Sequence, residues 1–407
     1  MKEEKLEQLP GDELQQPEEN ITQPEETAEA PAPQETPAAE ETPAPEEEPA
    51  PEEEPAPEKP SAGSKVLRFF GRFFATLGTV VLLLAVALYG VMYVLAKGPS
   101  PAARDLFVRS VQETSAIGFL ARLYFSQAEI DQITGADAEA VYVEVDTSLI
   151  ELPNKENIAN PDEGPVADQW GLIDDDDDGI IIEPIRGEGY NGYLMVVLDP
   201  SRVILGTVPS SYGARGYTVE EMVDKFDAVG GVNAGGFYDP GGNGNGSIPE
   251  TLVVYEGQIY YEENGIRDGF AGFDSNHILH VGKFDAAEIR ARDIQYGVCF
   301  GPVLLVNGEV MNRHLLLSGV NPRTAIGQRS DGAVLLLVIE GRHVNSLGAT
   351  FQDVVDVLLS YGAVNACNLD GGSSSMMYFE GEYLNNCSSV IGIRPVPTAF
   401  LVMKEGE

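Results

Sequence analysis

Three textures of apolar and polar positions follow one another along the 407 residues. Residues 1–60 carry almost no large apolar side chain and repeat a Glu-Pro-Ala theme. Residues 73–96, FFATLGTVVLLLAVALYGVMYVLA, then run for 24 positions without a charge. At a rise of about 1.5 Å per residue, a helix of that length exceeds the ~30 Å hydrocarbon core of a bilayer and predicts a transmembrane span. From Gly179 onward the pattern changes to short apolar strands at 193–198, 252–255, 303–306 and 333–339, punctuated by Gly, Asn and Pro. Two helices interrupt them. Thr350-Phe351-Gln352-Asp353 opens one as a capping sequence, and Phe351, Val354, Val355, Leu358 and Leu359 form an i, i+3, i+4, i+7, i+8 stripe that stops at Gly362. Thr218-Val219-Glu220-Glu221 caps the other, which runs to about Val229.

These patterns predict an α+β fold: a strand-rich mixed-sheet domain with a few packed helices. A tail, one transmembrane helix and a short helical stalk precede it. Four segments result: a disordered acidic tail at 1–64, a signal anchor at 65–97, a stalk and acidic linker at 98–178, and a domain at 179–407. In the stalk, Ser100-Pro101 supplies an N-cap and an N1 proline for a helix to about Glu113, and Ser126-Gln127-Ala128-Glu129 a capping box for a second. Each domain helix leads into a short strand and then a glycine pair, AVGGVNAGGF at 228–237 and GAVNACNLDGG at 362–372. This weak similarity predicts that the two elements lie near each other.

Charge sharpens the picture. The chain holds 65 acidic and 25 basic side chains, a net charge of −40, which speaks against a nucleic-acid partner because phosphate-backbone binding needs a clustered positive surface. Residues 1–60 hold 20 of the acids and 13 prolines; such a segment cannot bury enough apolar surface to offset its chain entropy. Lys65, Arg68 and Arg72 crowd the N-terminal flank of the apolar run, and the positive-inside rule places the tail in the cytoplasm and the rest outside. The expected location is the cell membrane, single-pass, with residues 73–96 as the membrane contact and the domain extracytoplasmic. The 64 preceding residues exceed the n-region of a cleaved signal peptide.

The candidate chemistry lies in strand-end loops. In Asn368-Leu369-Asp370-Gly371-Gly372-Ser373-Ser374, one carboxylate precedes small residues whose N–H groups and hydroxyls can cradle an anion. A carboxylate alone repels phosphate, so a cation is required, and Arg323 in Asn321-Pro322-Arg323-Thr324 can grip a phosphodiester bidentately. Glu340, ending the apolar strand, is a second carboxylate. Other chemistries lack support: no GxSxG surrounds Ser373, and the glycine-rich loop 240–246 lacks a P-loop Lys-Ser/Thr ending. His277 and His280 read as ordinary polar histidines. Asp174-Asp175-Asp176-Asp177-Asp178-Gly179 starts like a calcium loop, but its twelfth position is Ile185 where a bidentate Glu is needed, so it reads as solvated linker. No cofactor is required by the sequence. A bound calcium or other divalent ion near the acidic loops stays open, with no metal ligand set assigned. Cys299, Cys367 and Cys387 follow no metal spacing, and a Cys367–Cys387 bridge is an open alternative to free thiols.

Five motifs in one order resemble the phosphodiester glycosidase family. They are Asn233-Ala234-Gly235-Gly236-Phe237, then Gly301-Pro302-Val303-Leu304 with Asn307-Gly308, then Asn321-Pro322-Arg323-Thr324-Ala325-Ile326-Gly327, then Gly341-Arg342 with Ser346 and Gly348, and finally residues 368–374. The resemblance covers about 179–407. It implies hydrolysis of the sugar C1–O bond of a sugar-1-phosphodiester, with Asp370, Arg323 and Glu340 as catalytic candidates. Candidate substrate contacts are Asn233, Gly235, Gly236, Phe237, Thr324, Arg342, Asn368, Gly371, Gly372, Ser373 and Ser374. Glu340 departs by one methylene from the Asp of many relatives. With an outward-facing domain, the implied partner is a sugar phosphate or cell-envelope glycopolymer. The alternative is a non-catalytic wall-polymer or exopolysaccharide binding or assembly module on the same fold.

Overall fold

The computed structural model describes residues 62–114, 117–135, 140–152, 166–239, 244–262, 269–311, 316–389 and 392–406. The expected disordered tail lies, up to residue 61, outside the described residues, as do parts of the acidic linker and of the glycine-rich loop.

The apolar run is the body of a helix, Ala62–Lys97, that starts within its basic flank. Val66–Lys97 is long and apolar enough to cross a membrane, and its large side chains, Leu82, Leu83, Leu84 and Leu88 among them, are exposed. The next helix, Pro101–Gln112, has the predicted Ser100 cap and N1 proline. Ser126 and Glu129 form the predicted capping box of Gln127–Thr134. A short helix, Phe119–Arg122, lies between them without a sequence cue. Val108, Val111, Ala121, Phe125 and Ile130 give this stalk its own small apolar cluster.

The α+β expectation holds, but every pairing described is antiparallel, so the sheets are not mixed. A seven-stranded sheet has the order Ile180–Gly187, Tyr190–Val197, Val334–Ile339, Arg323–Arg329, Ala363–Leu369, Val303–Val306, Glu309–Val310. Two five-stranded sheets complete the frame; one contains Ala228–Asn233 between Met377–Phe379 and Thr398–Met403. The uninterrupted VLLLVI of Val334–Ile339 has a physical reason. Alternate side chains of a strand point to opposite faces. Val334, Leu336 and Val338 enter one core with Met195, Val232 and Phe400, and Leu335, Leu337 and Ile339 enter another with Val354, Val355 and Leu358. A strand covered on both faces has no polar positions to alternate with.

The helix Phe351–Ser360 supplies that second core, with the Thr350–Asp353 capping box in place and its end followed by Gly362 at φ +83°. Val219–Phe226 has its Thr218–Glu221 box but stops earlier than expected, at Asp227 in the left-handed region. A further capping box, Asp285 with Glu288, starts Ala286–Ala291, which the sequence reading did not single out.

Candidate functional site

Three adjacent strands bring the candidates to one end of the seven-stranded sheet. Antiparallel register pairs Arg323 with Ile339 and Thr324 with Leu369. The start of one strand therefore lies beside the ends of two others, where Glu340 and Asp370 follow. The two glycine-pair elements also meet, as their similarity predicts: Asn233 donates from Nδ2 to the Asp370 carbonyl at 2.6 Å, and the Asp370 N–H donates to the Ala234 carbonyl at 2.9 Å.

Several predicted contacts turn out to be internal struts. Asn233 and Thr324 are fully buried, and Asn233 Oδ1 accepts from Thr324 Oγ1 at 2.9 Å and from the Met376 N–H at 3.1 Å. Asn368 spends its amide on the Gly301 and Leu369 carbonyls, both at 2.8 Å, and its Oδ1 has no partner among the described residues. Gly235 is buried and donates to Thr398 Oγ1 at 3.0 Å. A Cβ on Gly236 would lie 2.8 Å from the Phe300 ring and 2.9 Å from Glu250 Oε2, so glycine is needed for the close approach. Phe237 opens the short strand Phe237–Tyr238 and sits under the Arg394 guanidinium, 5.0 Å from ring centroid to cation.

The loops of Arg323, Arg342 and Asp370 converge on Asn321-Pro322. Gly348, at φ +118°, would put a Cβ 2.5 Å from the Asn321 backbone, and a Cβ on Gly341 would lie 2.7 Å from the Pro322 nitrogen. On the third side the Gly372 N–H donates to the Pro322 carbonyl at 2.9 Å, and Gly372–Ser374 forms a single 3-10 turn. Gly371 approaches the same carbonyl, and Ser374 is buried beneath the turn.

Arg323 is held on all sides. It donates from Nε to the Ala349 carbonyl at 3.0 Å, and from Nη2 to the Gly319 carbonyl at 2.6 Å and to Glu113 Oε2 at 2.7 Å. Its guanidinium also stacks on Phe351, 4.0 Å from the ring centroid. Burial draws its pKa below the ordinary value against the opposing pull of Glu113, and a guanidinium stays charged regardless.

Glu113 comes from the stalk. Its other oxygen accepts the Gly319 N–H at 2.7 Å, Ser110 Oγ accepts the Val320 N–H at 3.0 Å, and Asn321 Nδ2 donates to Glu113 Oε2 at 3.1 Å. None of this was read from the sequence, yet a signal exists. Glu113 is the C-cap of its helix, where the dipole disfavours an acid, so it needs a partner elsewhere.

Arg342 differs. It is exposed, sits at φ +62°, donates from Nη1 to Ser373 Oγ at 3.1 Å and from Nη2 to Thr114 Oγ1 at 3.1 Å and Asn321 Oδ1 at 3.2 Å. No carboxylate pairs with it among the described residues. Partial desolvation, then the charges of Arg323 and Arg394, hold its pKa below the usual arginine value. Arg394, also unread from the sequence, pairs with Asp239 at 2.6 Å.

Glu340 is 8% exposed and accepts at Oε1 from the Asn386 N–H at 2.7 Å and its side-chain amide at 2.9 Å. Two residues on, Ser388 Oγ donates to the Gly372 carbonyl at 3.0 Å, so one segment links Glu340 to the turn after Asp370. A cavity of about 470 Å³ opens beside Glu340, against Arg186, Asn191, Tyr193, His343 and Asn345.

Elsewhere, the oxygens of Asp174, Asp176 and Asp178 come within 4.8 Å of one another. Ile185, at the twelfth loop position, is buried in the strand Ile180–Gly187, so this segment lacks the second half of a calcium loop. His280 is buried and bonded through Nε2 to Asp274 Oδ2 at 3.1 Å. Cys299, Cys367 and Cys387 form no disulfide in the structure, which removes the Cys367–Cys387 bridge.

The antiparallel α+β domain thus gathers two carboxylates, a glycine-serine turn and three arginines toward one sheet end. Residues 226–403 match the phosphodiester glycosidase family. The SPbeta prophage-derived uncharacterized protein YomE of Bacillus subtilis (strain 168) is 30% identical over 206 residues, 48% of this chain and 30% of that protein. The chain thus spans less than a third of that relative. Among solved structures, the zebrafish N-acetylglucosamine-1-phosphodiester alpha-N-acetylglucosaminidase catalytic domain, auto-inhibited by pro-peptide, is 19% identical with a TM-score of 0.48, over 56% of this chain and 82% of that one. A putative exported protein of Burkholderia pseudomallei K96243 is 17% identical with a TM-score of 0.41, over 53% and 74%.

Proposed function

We propose that this chain is a membrane-anchored, extracytoplasmic hydrolase that cleaves the C1–O bond of a sugar-1-phosphodiester, releasing free sugar and a phosphomonoester. The observation that carries the reading is the meeting of Asp370, Glu340 and the Arg342–Ser373 corner at one sheet end, within a phosphodiester glycosidase domain.

The chemistry follows from the bond that breaks. Loss of the C1–O bond builds positive charge at the anomeric carbon, which a carboxylate stabilises, while the departing phosphate monoester is already a good anionic leaving group. Asp370 serves at the anomeric carbon, as general base or electrostatic stabiliser. Water supplies the new oxygen on C1, one water proton leaves to a base, and the bridging oxygen departs with phosphorus.

Arg342, which has no carboxylate partner among the described residues, takes the phosphate together with Ser373. Arg323 acts one step back: committed to Glu113 and two carbonyls, it fixes the loop that both other loops pack against. The basic flank of the anchor helix supports an outward-facing domain, where sugar-1-phosphodiester linkages of envelope polymers are within reach. Incubating the full chain in detergent with a panel of sugar-1-phosphodiesters tests the proposal; free sugar from at least one member is expected, and none from any member contradicts it.

A further inference from the structure

The stalk does not stand clear of the anchor helix. Tyr124 packs its ring 5.7 Å from that of Tyr89 and 6.5 Å from that of Tyr93, and its hydroxyl donates to the Tyr89 carbonyl at 3.4 Å. Ala96, 1% exposed, belongs to the same apolar cluster as Val108, Val111, Ala121, Phe125 and Ile130. Tyr89 lies about 12 Å, two turns, before the end of the helix at Lys97, inside the uncharged run 73–96. The chain therefore leaves the helix at Lys97 and returns along its last two turns.

The returning segment carries large apolar side chains that no described residue covers. Phe119 and Leu123 are each 59% exposed, and Leu106 and Ile117 are exposed too. Phe119 and Leu123 stand four apart, in Phe119–Arg122 and at its C-cap, so they share one face. The next helix, Gln127–Thr134, differs: its exposed side chains are Gln127, Ala128, Glu129 and Gln132. Exposed apolar groups gathered in one part of a small module mark a contact with something apolar. Tyr124 decides what that is. Because it touches a residue two turns inside a run of bilayer-spanning length, whatever solvates Tyr89 also reaches its neighbours Phe119 and Leu123. Tyr89, Tyr93 and Tyr124, with Phe107 at 6.4 Å from Tyr124, form the kind of aromatic group found where acyl chains meet headgroups. Lys97, 4.2 Å over the Phe125 ring, and the exposed Arg122 add cations that suit lipid phosphates.

We infer that Phe119 and Leu123, with Leu106 and Ile117, seat the stalk in the lipid leaflet at the C-terminal end of the anchor helix, as a second membrane contact beside residues 73–96. The inference rests on the proposed anchor, and it commits the patch to acyl chains. It also bears on the candidate site. Pro101–Gln112 is about 18 Å long, contains Ser110 and ends on Glu113, and these two hold residues 319 and 320. A seated stalk keeps that loop about one helix length from Pro101, close to the bilayer.

The test places the full chain in phosphatidylcholine vesicles, either plain or brominated near the headgroup or near the acyl-chain ends, and reads tryptophan emission with iodide supplied on both sides. Trp170, the one native tryptophan, gives the baseline. Phe119→Trp and Leu123→Trp, at exposed positions outside the stalk core, should each emit to the blue of a water-exposed indole, lose emission in vesicles brominated near the headgroup and resist iodide. Gln132→Trp should do the reverse. Leu83→Trp, inside the apolar run, tests the anchor by itself and should be quenched by bromine near the chain ends. Quenching of Leu83→Trp by lipid without quenching of Phe119→Trp and Leu123→Trp overturns the inference and leaves the anchor standing. The inference is also overturned if those two reporters respond to iodide, if both quenchers leave them untouched, as at an interface with a second copy or another protein, or if Gln132→Trp reports lipid as strongly as they do. A Leu83→Trp reporter that lipid bromine does not reach refutes the anchor, and the inference falls with it.

Discussion

Arg323 and Arg342 stand on the same corner of the domain and have opposite circumstances. Arg323 is 5% exposed, neutralised by Glu113 and bonded to two backbone carbonyls; Arg342 is exposed and bonded only to hydroxyl and amide oxygens, with two other arginines nearby. Sequence alone points to the first, because it stands in a strand-start motif. The proposed chemistry assigns binding to the second, because a guanidinium already paired with a carboxylate must give up that pair before it can grip a phosphate. A cation left without a counterion is the one free to take an anion from outside.

The steepest break in the system leaves both arginines untouched. Asp370→Asn should lower kcat by about 10²–10⁴-fold, the usual worth of a positioned acid or base, with substrate binding retained, as checked by steady-state kinetics beside a binding titration. If kcat is unchanged, Asp370 is not the catalytic carboxylate, and if the native chain shows no turnover to lose, the comparison concerns a binding module and not an enzyme.

The arginines should then separate by readout. Arg323→Ala strands the Glu113 carboxylate and two carbonyls, and the expected loss is about 3–5 kcal/mol of stability in denaturant unfolding, the range for breaking a buried pair. Arg342→Ala should leave the melting temperature within a degree or two but reduce kcat/KM by about a hundredfold, the scale of one lost charge-assisted phosphate contact. The reverse pattern, a stable but inactive Arg323→Ala beside a destabilised Arg342→Ala, contradicts the assignment. Ser373→Ala, which removes one oriented hydroxyl from Arg342, should cost only severalfold in kcat/KM, about 0.5–1.5 kcal/mol.

The same contrast of committed and open groups recurs among the thiols, with the smallest consequence. Burial pushes the Cys367 thiol well above its ordinary pKa, and Cys299 is buried beside it, whereas Cys387 is partly exposed. Native-state alkylation at neutral pH should modify Cys387 alone, with the other two reacting only on unfolding.

Local signals made much of the frame legible. Capping boxes at Thr218, Thr350 and Ser126, the apolar stripe from Phe351 and the unbroken run ending at Ile339 all name their elements, because each depends on neighbours within about eight positions. The candidate residues could be named from the sequence, but which of them are buried struts and which are open could not. Asn233, Thr324 and Asn368 look like ligand contacts by type, yet they serve the loop junctions, and only burial distinguishes the two uses. The Glu113–Arg323 pair joins positions 210 apart, a separation no periodicity reports. Likewise, the cavity at Glu340 is assembled from Asn191, His343 and Asn386, which share no motif.

The central claim is that this site breaks a carbon–oxygen bond. The most direct measurement runs turnover of a sugar-1-phosphodiester in water enriched in oxygen-18 and locates the label by mass spectrometry. Cleavage at C1–O predicts the heavy oxygen in the free sugar and none in the phosphomonoester. Heavy oxygen in the phosphomonoester, with an unlabelled sugar, means that the P–O bond breaks and contradicts the account.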